Sequence, residues 1–181
     1  MTVRALVPDD LDAVHAVLTA GFGEQPLAAR RAWLDWAMRN TDMLAHLSQP
    51  PLGDRAVVLK ATGEVIGVVG LVPSYGPFGK LPHFRAMHAG SLSGGFTLEM
   101  GLFWALSPQQ RGHGYATEAA HALVTVMFTQ QALARFVAMT DHNNTPSIAV
   151  MQRLGMVINH NPDPDPVWFQ VVGILENPHL S

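Results

Sequence analysis

The sequence predicts one α/β domain in which helices flank a mixed sheet, and three observations predict it. Two helical patterns near the start precede a hairpin, after which strand, helix, strand, helix and strand alternate. With 181 residues, 48% of them hydrophobic, the chain can bury one substantial core, so residues 1–181 are expected to form a single domain. Between an apolar run and a long helical pattern stands Gly112-His113-Gly114, a strand–turn–helix junction typical of α/β proteins.

The elements follow in order. Residues 3–7 read as a short first strand. Asp9 and Asp10, after Pro8, are N-cap candidates for a helix with Leu11, Val14, Leu18 and Phe22 on one face; Gly21-Phe22-Gly23 ends it. A second helix over 27–47 has Trp33, Leu34, Met38, Leu44 and Leu47 on its apolar stripe, and Gln49 to Gly53 is a loop. Residues 55–60 and 64–72 are two strands joined by a tight turn at Thr62-Gly63. The Pro-, Gly- and Ser-rich stretch from Pro73 to Phe96 is expected to be an extended connection, and Leu98 to Leu106 a strand. A helix then runs to about Gln130 and a strand spans Arg135 to Thr140. A further helix over 148–154 has Pro146 in its first turn and ends at Gly155, a left-handed C-cap. Pro162, Pro164 and Pro166 exclude helix over 159–166, which is expected to be a loop, and Val167 to Leu175 is the last strand.

Composition narrows the function. No apolar run is long enough to span a bilayer, and Pro8 and Asp9 interrupt the N-terminal residues, which are not a signal peptide; no membrane partner is expected. The chain has no cysteine, which excludes disulfides, thiolate metal sites and a cysteine acyl-enzyme, and fits a cytoplasmic protein. A net charge of −3 argues against nucleic-acid binding. Nine histidines are scattered, and the closest pair, His83 and His88, has no carboxylate companion in sequence, so no metal site is expected.

The glycine junction is an anion site in the making. N–H groups of a first helical turn point outward, the helix dipole adds positive potential, and glycine lets backbone approach a phosphate. It is not a P-loop, because no Gly-Lys-Ser/Thr follows, and position 117 is Thr where the dinucleotide fingerprint needs a third glycine. What remains, Gln109-x-x-Gly112-x-Gly114 after a strand, resembles the pyrophosphate loop of the GCN5-related N-acetyltransferases (GNAT), whose co-substrate is acetyl-CoA. Asn144-x-x-Ser147 followed by Val150, Leu154, Gly155 and Met156 resembles the second half of that family's core. With Tyr115-Ala116-Thr117-Glu118-Ala119 it is similar to the RimJ/RimL-like branch, whose best-known members acetylate protein N-termini. The resemblance covers about Glu99 to Met156 and implies a three-layer fold with a mixed, mostly antiparallel central sheet.

The resemblance also implies roles. Trp104, Ala105 and Leu106 would pair their main chain with the pantetheine arm as if it were an added strand. Gln110, Arg111, Gly112, His113, Gly114, Tyr115 and Ala116 would wrap the pyrophosphate. Arg111 could add a charge-assisted bond or be an ordinary loop arginine. Asn144 would bind the pantetheine amides or cap its helix, and Ser147 would approach the thioester sulfur or satisfy local backbone. Acetyl transfer by direct attack needs a neutral amine, hence a group that takes its proton. Glu99, in an apolar strand, is the first candidate, with an edge-of-sheet glutamate as the alternative; His142 and Asp141 follow. Met151 stands where many members have a tyrosine acid, and Met139 where some have a carboxylate, so an acyl-CoA-binding module with little catalysis is the competing reading. The acceptor is a primary amine on a protein N-terminus or a small molecule, and the apolar last strand offers a surface for a homodimer. Residues 73–97, with Lys80, His83, Arg85 and His88 and no carboxylate, are either a solvated loop or a cationic wall of the acceptor site.

Overall fold

The computed structural model describes residues 1–87 and 95–180. The strands are β1 (Thr2–Ala5), β2 (Gly53–Val58), β3 (Val65–Gly76), β4 (Thr97–Leu106), β5 (Arg135–Thr140), β6 (Val157–His160) and β7 (Val171–Glu176). The helices are α1 (Leu11–Phe22), α2 (Leu27–His46), α3 (Pro82–Met87), α4 (Tyr115–Gln130) and α5 (Thr145–Arg153). The strands form one seven-stranded, mostly antiparallel sheet in the order β1-β2-β3-β4-β5-β7-β6. No helix among the described residues is long and apolar enough to cross a membrane. Chain contacts divide the protein into two compact units, residues 1–72 with 103–131 and residues 73–102 with 132–181.

In the first unit β1, β2 and β3 are antiparallel, with Val3 opposite Val57 and Asp54 opposite Gly70. The β2–β3 turn closes on Leu59 N–H to Glu64 O, with Gly63 at φ 74°. The core is built from the α1 stripe Leu11, Val14, Val17 and Leu18, from Leu34 and Ala37 of α2, and from Ala56, Val68 and Ala105 of the sheet. Asp10 takes the N-cap position of α1 as expected, but its side chain accepts from no N–H of that helix. It takes the two terminal Arg4 guanidinium nitrogens at 2.7 Å and, at 2.9 Å, the N–H of Val7, the residue that opens the 3₁₀ turn Pro8–Asp10. Burial opposes ionisation, yet these donors hold its carboxyl below the usual range.

In the second unit β4 runs parallel to β5, with Gly101 level with Val137, and β7 lies antiparallel between β5 and β6. Its core is Phe78, Leu81, Phe84, Val137, Phe169, Val172 and Ile174. The solvated loop expected from Pro73 to Phe96 is corrected for its first part. β3 continues to Gly76, a 3₁₀ turn spans Phe78–Lys80, and α3 follows. Phe78, Leu81 and Phe84 recur every three residues and are buried, a periodicity that the surrounding prolines and glycines obscured. Two of the cations expected to form a cationic wall are paired with acids. Lys80 Nζ lies 2.8 Å from Asp163, His83 Nε2 2.8 Å from Glu176, and Arg85 Nε donates to the Gly79 carbonyl. His88 lies outside the described residues.

Two expectations near the C-terminus also change. Asn159 and His160 belong to β6, paired with Val172 and Val171, so the irregular segment begins only after them. The last strand starts at Val171 rather than Val167. Phe169 N–H bonds to Pro166 O and the Gln170 side chain to Val167 O, making a turn that sends Phe169 into the core and leaves Val167 and Trp168 exposed.

Candidate functional site

In the first unit the end of β4 leads into the glycine turn. Ser107 N–H donates to Ile66 O at 2.8 Å and the Ala105 carbonyl lies against Gly67, so both residues point their main chain toward β3. Strand alternation turns the main-chain groups of Trp104 and Leu106 to the opposite edge, where an added strand could use them. A 3₁₀ turn over Pro108–Gln110 and an extended Arg111 precede Gly112 at φ 81° and Gly114 at φ 83°. Both glycines hold left-handed backbone that resists any side chain, and a Cβ at either would enter open space. Gly114 is the N-cap of α4 and no side chain caps that helix. The first-turn N–H groups of Tyr115, Ala116 and Thr117 are therefore left for solvent or an anion. The His113 and Tyr115 rings stack at 5.8 Å beside them. Arg111 Nε is turned back to the Leu106 carbonyl at 3.3 Å, while its terminal nitrogens make no bond to a described residue.

In the second unit the loop after β5 forms one side of a cleft of ≈ 740 Å³ lined by Asp141, Asn143, Asn144, Pro146, Val167, Trp168 and Gln170. Asn144 caps α5, its Oδ1 accepting from Ser147 N–H at 3.3 Å, and Pro146 sits in the first turn. The capping alternative for Asn144 is thus realised, and its amide nitrogen stays unused by described residues. The main-chain N–H of His142 goes to Gln170 Oε1, and its ring stacks on His160 at 5.6 Å. Met151 is buried, pressed with Met156 against Gly173 of β7, so this position packs the core rather than facing a substrate.

Glu99 stands apart from that cleft. Its Oε2 lies 3.6 Å from Arg135 Nε, and Arg135 reaches Glu176 at 3.7 Å and covers the Phe84 ring. Arg135 begins β5 and Asp141 follows its end, about 20 Å along a strand rising 3.3 Å per residue. The second unit therefore brings Asp141 and Asn144 together, with Ser147 one helical turn on, but not Glu99. Sequence reasoning missed Val167, Trp168 and Gln170, because an apolar run after Pro166 reads as strand. It also missed Asp54, a β2 residue only 3% exposed. Burial pushes the Asp54 carboxyl up to about 6 although the Arg55 charge pulls it down.

Residues 1–157 match the family model described as an acetyltransferase (GNAT) domain. An uncharacterized N-acetyltransferase of Bacillus subtilis, YnaD, is 38% identical over 63 residues, 35% of this chain and 36% of that protein, so the match spans about a third of that relative's length. A ribosomal-protein-S5-alanine acetyltransferase from Vibrio fischeri superposes with a TM-score of 0.67 at 16% identity over 99% of this chain and 94% of that one. A spermidine N-acetyltransferase from Vibrio cholerae superposes with a TM-score of 0.58 at 15% identity over 96% and 92%.

Proposed function

The chain belongs to the GNAT acetyltransferase family, and on that footing we propose that it moves an acetyl group from acetyl-CoA to a primary amine by direct attack. The observation that carries the proposal is the uncapped start of α4 behind two left-handed glycines with open space before them. A diphosphate is the ligand such a cradle suits, and GNAT acetyltransferases take acetyl-CoA as co-substrate. In this reading Gln110 to Ala116 wrap the pyrophosphate and Arg111 swings its free nitrogens to it. Trp104 and Leu106, beside Ala105, pair with the pantetheine arm, and the free amide nitrogen of Asn144 donates to a pantetheine carbonyl. The Ser147 hydroxyl serves the leaving thiolate, since Met151 has no proton to give.

Two relatives of the fold mark the range of acceptors, one acting on a ribosomal protein's alanine and one on spermidine. A RimJ/RimL-like role on a protein N-terminus and a small-molecule role both fit this chain, as does a cytoplasmic setting. Glu99 would have to leave its ion pair with Arg135 to take a proton, and His142 its stack on His160. The buried Met151 favours a second reading, an acyl-CoA-binding module with little turnover. Mass spectrometry of products from a primary-amine panel with acetyl-CoA separates the two: transfer supports the enzyme, and tight binding without any acetylated product supports the module.

A further inference from the structure

Asp54, the second residue of β2, faces Gly70 of β3 across an antiparallel pair. Its Oδ1 is buried without a partner, and no described residue donates to its other oxygen. A Cβ on Gly70 would collide with both the Asp54 carboxylate and the Phe103 ring of β4. The bare glycine thus lets carboxylate and ring meet over the β3 backbone, and the Phe103 ring also meets Phe22 of α1, edge to face at 6.4 Å. Phe103 directly precedes Trp104, so the carboxylate stands beside the strand read above as the pantetheine partner.

The charged group whose field reaches Asp54 is Arg55. Its guanidinium is held by Thr41 Oγ1 and by the carbonyls of Pro51, Leu52 and Asp54, and it offers no hydrogen bond to the carboxylate. From α2, Asn40 and Thr41 face the Gly53 end of the strand; Gly70 and Phe103 face it from β3 and β4. None of these four carries a titrating charge.

A buried carboxylate without donors destabilises a fold, and groups retained in that state concentrate where binding or catalysis uses them. A carboxylate beside aromatic rings complements an ammonium ion, through charge-assisted hydrogen bonds and through the rings' negative faces. We propose that Asp54 receives the primary ammonium of the acceptor and takes its first proton. The proposal rests on the acetyl-transfer reading above. The ammonium loses one proton to the Asp54 carboxylate, and the freed lone pair forms the C–N bond to the acetyl carbonyl. The C–S bond breaks, the nitrogen's second proton goes to the departing thiolate, and Asp54 later returns its proton to water.

The test combines a binding readout with a kinetic one. Carbon-13 carboxyl titration of the native protein should show the Asp54 midpoint falling when propylamine is added and staying put with N-acetylpropylamine. In acetyl transfer to the amine panel, Asp54→Asn should lose about 10²–10⁴-fold in kcat/KM and the rate rise that accompanies Asp54 deprotonation, with acetyl-CoA affinity unchanged. Asp54→Glu should recover part of both, which separates proton transfer from misfolding. A midpoint that no amine moves, or an Asn variant that keeps rate and pH profile, overturns the proposal. A midpoint that moves in a protein that transfers no acetyl group upholds the amine site and overturns the transferase reading instead.

Discussion

Replacing Asp54 by Asn should stabilise the protein in a way that depends on pH, and the size follows from the carboxyl's environment. Its pKa is raised from 3.8 to about 6, chiefly by burial. A group with a raised folded pKa contributes stability that is fully present below pH 3.8 and is lost as pH rises through about 6. The shift of roughly 2 units corresponds to about 3 kcal/mol, and at 3% exposure solvent screening takes little from it. Asparagine keeps the shape and never acquires the charge. The variant should therefore match the native protein near pH 4 and exceed it by about 3 kcal/mol at pH 8. Urea unfolding followed by tryptophan fluorescence at both pH values measures this. With a slope of roughly 2 kcal/mol per molar, the midpoint should rise by about 1.5 M at pH 8. Other carboxylates, Asp10 among them, titrate equally in both proteins and cancel in the difference. A stability difference that does not change with pH, or one that favours the native protein at pH 8, would refute the reasoning.

Two further predictions concern other places in the first unit. Gly112→Val and Gly114→Val should fold yet bind acetyl-CoA far more weakly by calorimetry, because each forces a branched side chain into left-handed backbone and into the open space before α4; unchanged affinity in folded variants would contradict the cradle. Arg4→Met should cost roughly 1–3 kcal/mol by leaving the Asp10 charge buried with the Val7 N–H alone. The loss should be largest at neutral pH and shrink as acid protonates Asp10, whose folded pKa is depressed; equal losses at pH 3 and pH 7 in denaturant titrations would count against that pairing.

What was legible in the sequence was local. The turn at Gly112-His113-Gly114 and the helix behind it were marked by residues that tolerate few backbone states, and α4 ends at Gln130 as its pattern required. Gly155 at φ 82° closes the region of α5 for the same reason. What was not legible depends on partners distant in the chain. The segment holding Lys80 has no acid nearby in sequence, yet its ion-pair partner Asp163 lies 83 residues away. Phe78, Leu81 and Phe84 were hidden among prolines because only a tertiary core rewards their spacing. Asp54 gave no signal, since a carboxylate at a strand start is usually solvated and only its register against Gly70 and Phe103 buries it. Glu99 is a carboxylate in an apolar strand, and Arg135, level with it at the start of β5, supplies the counter-charge.

Acetyl transfer itself is the most direct test. The protein would be incubated with acetyl-CoA and a panel of alkylamines, polyamines and peptides with free N-termini, and the products weighed by mass spectrometry alongside release of free CoA. The account predicts at least one amine carrying a single added acetyl group, formed in step with CoA and only in the presence of the protein. Acetyl-CoA left intact with every amine in the panel would contradict it.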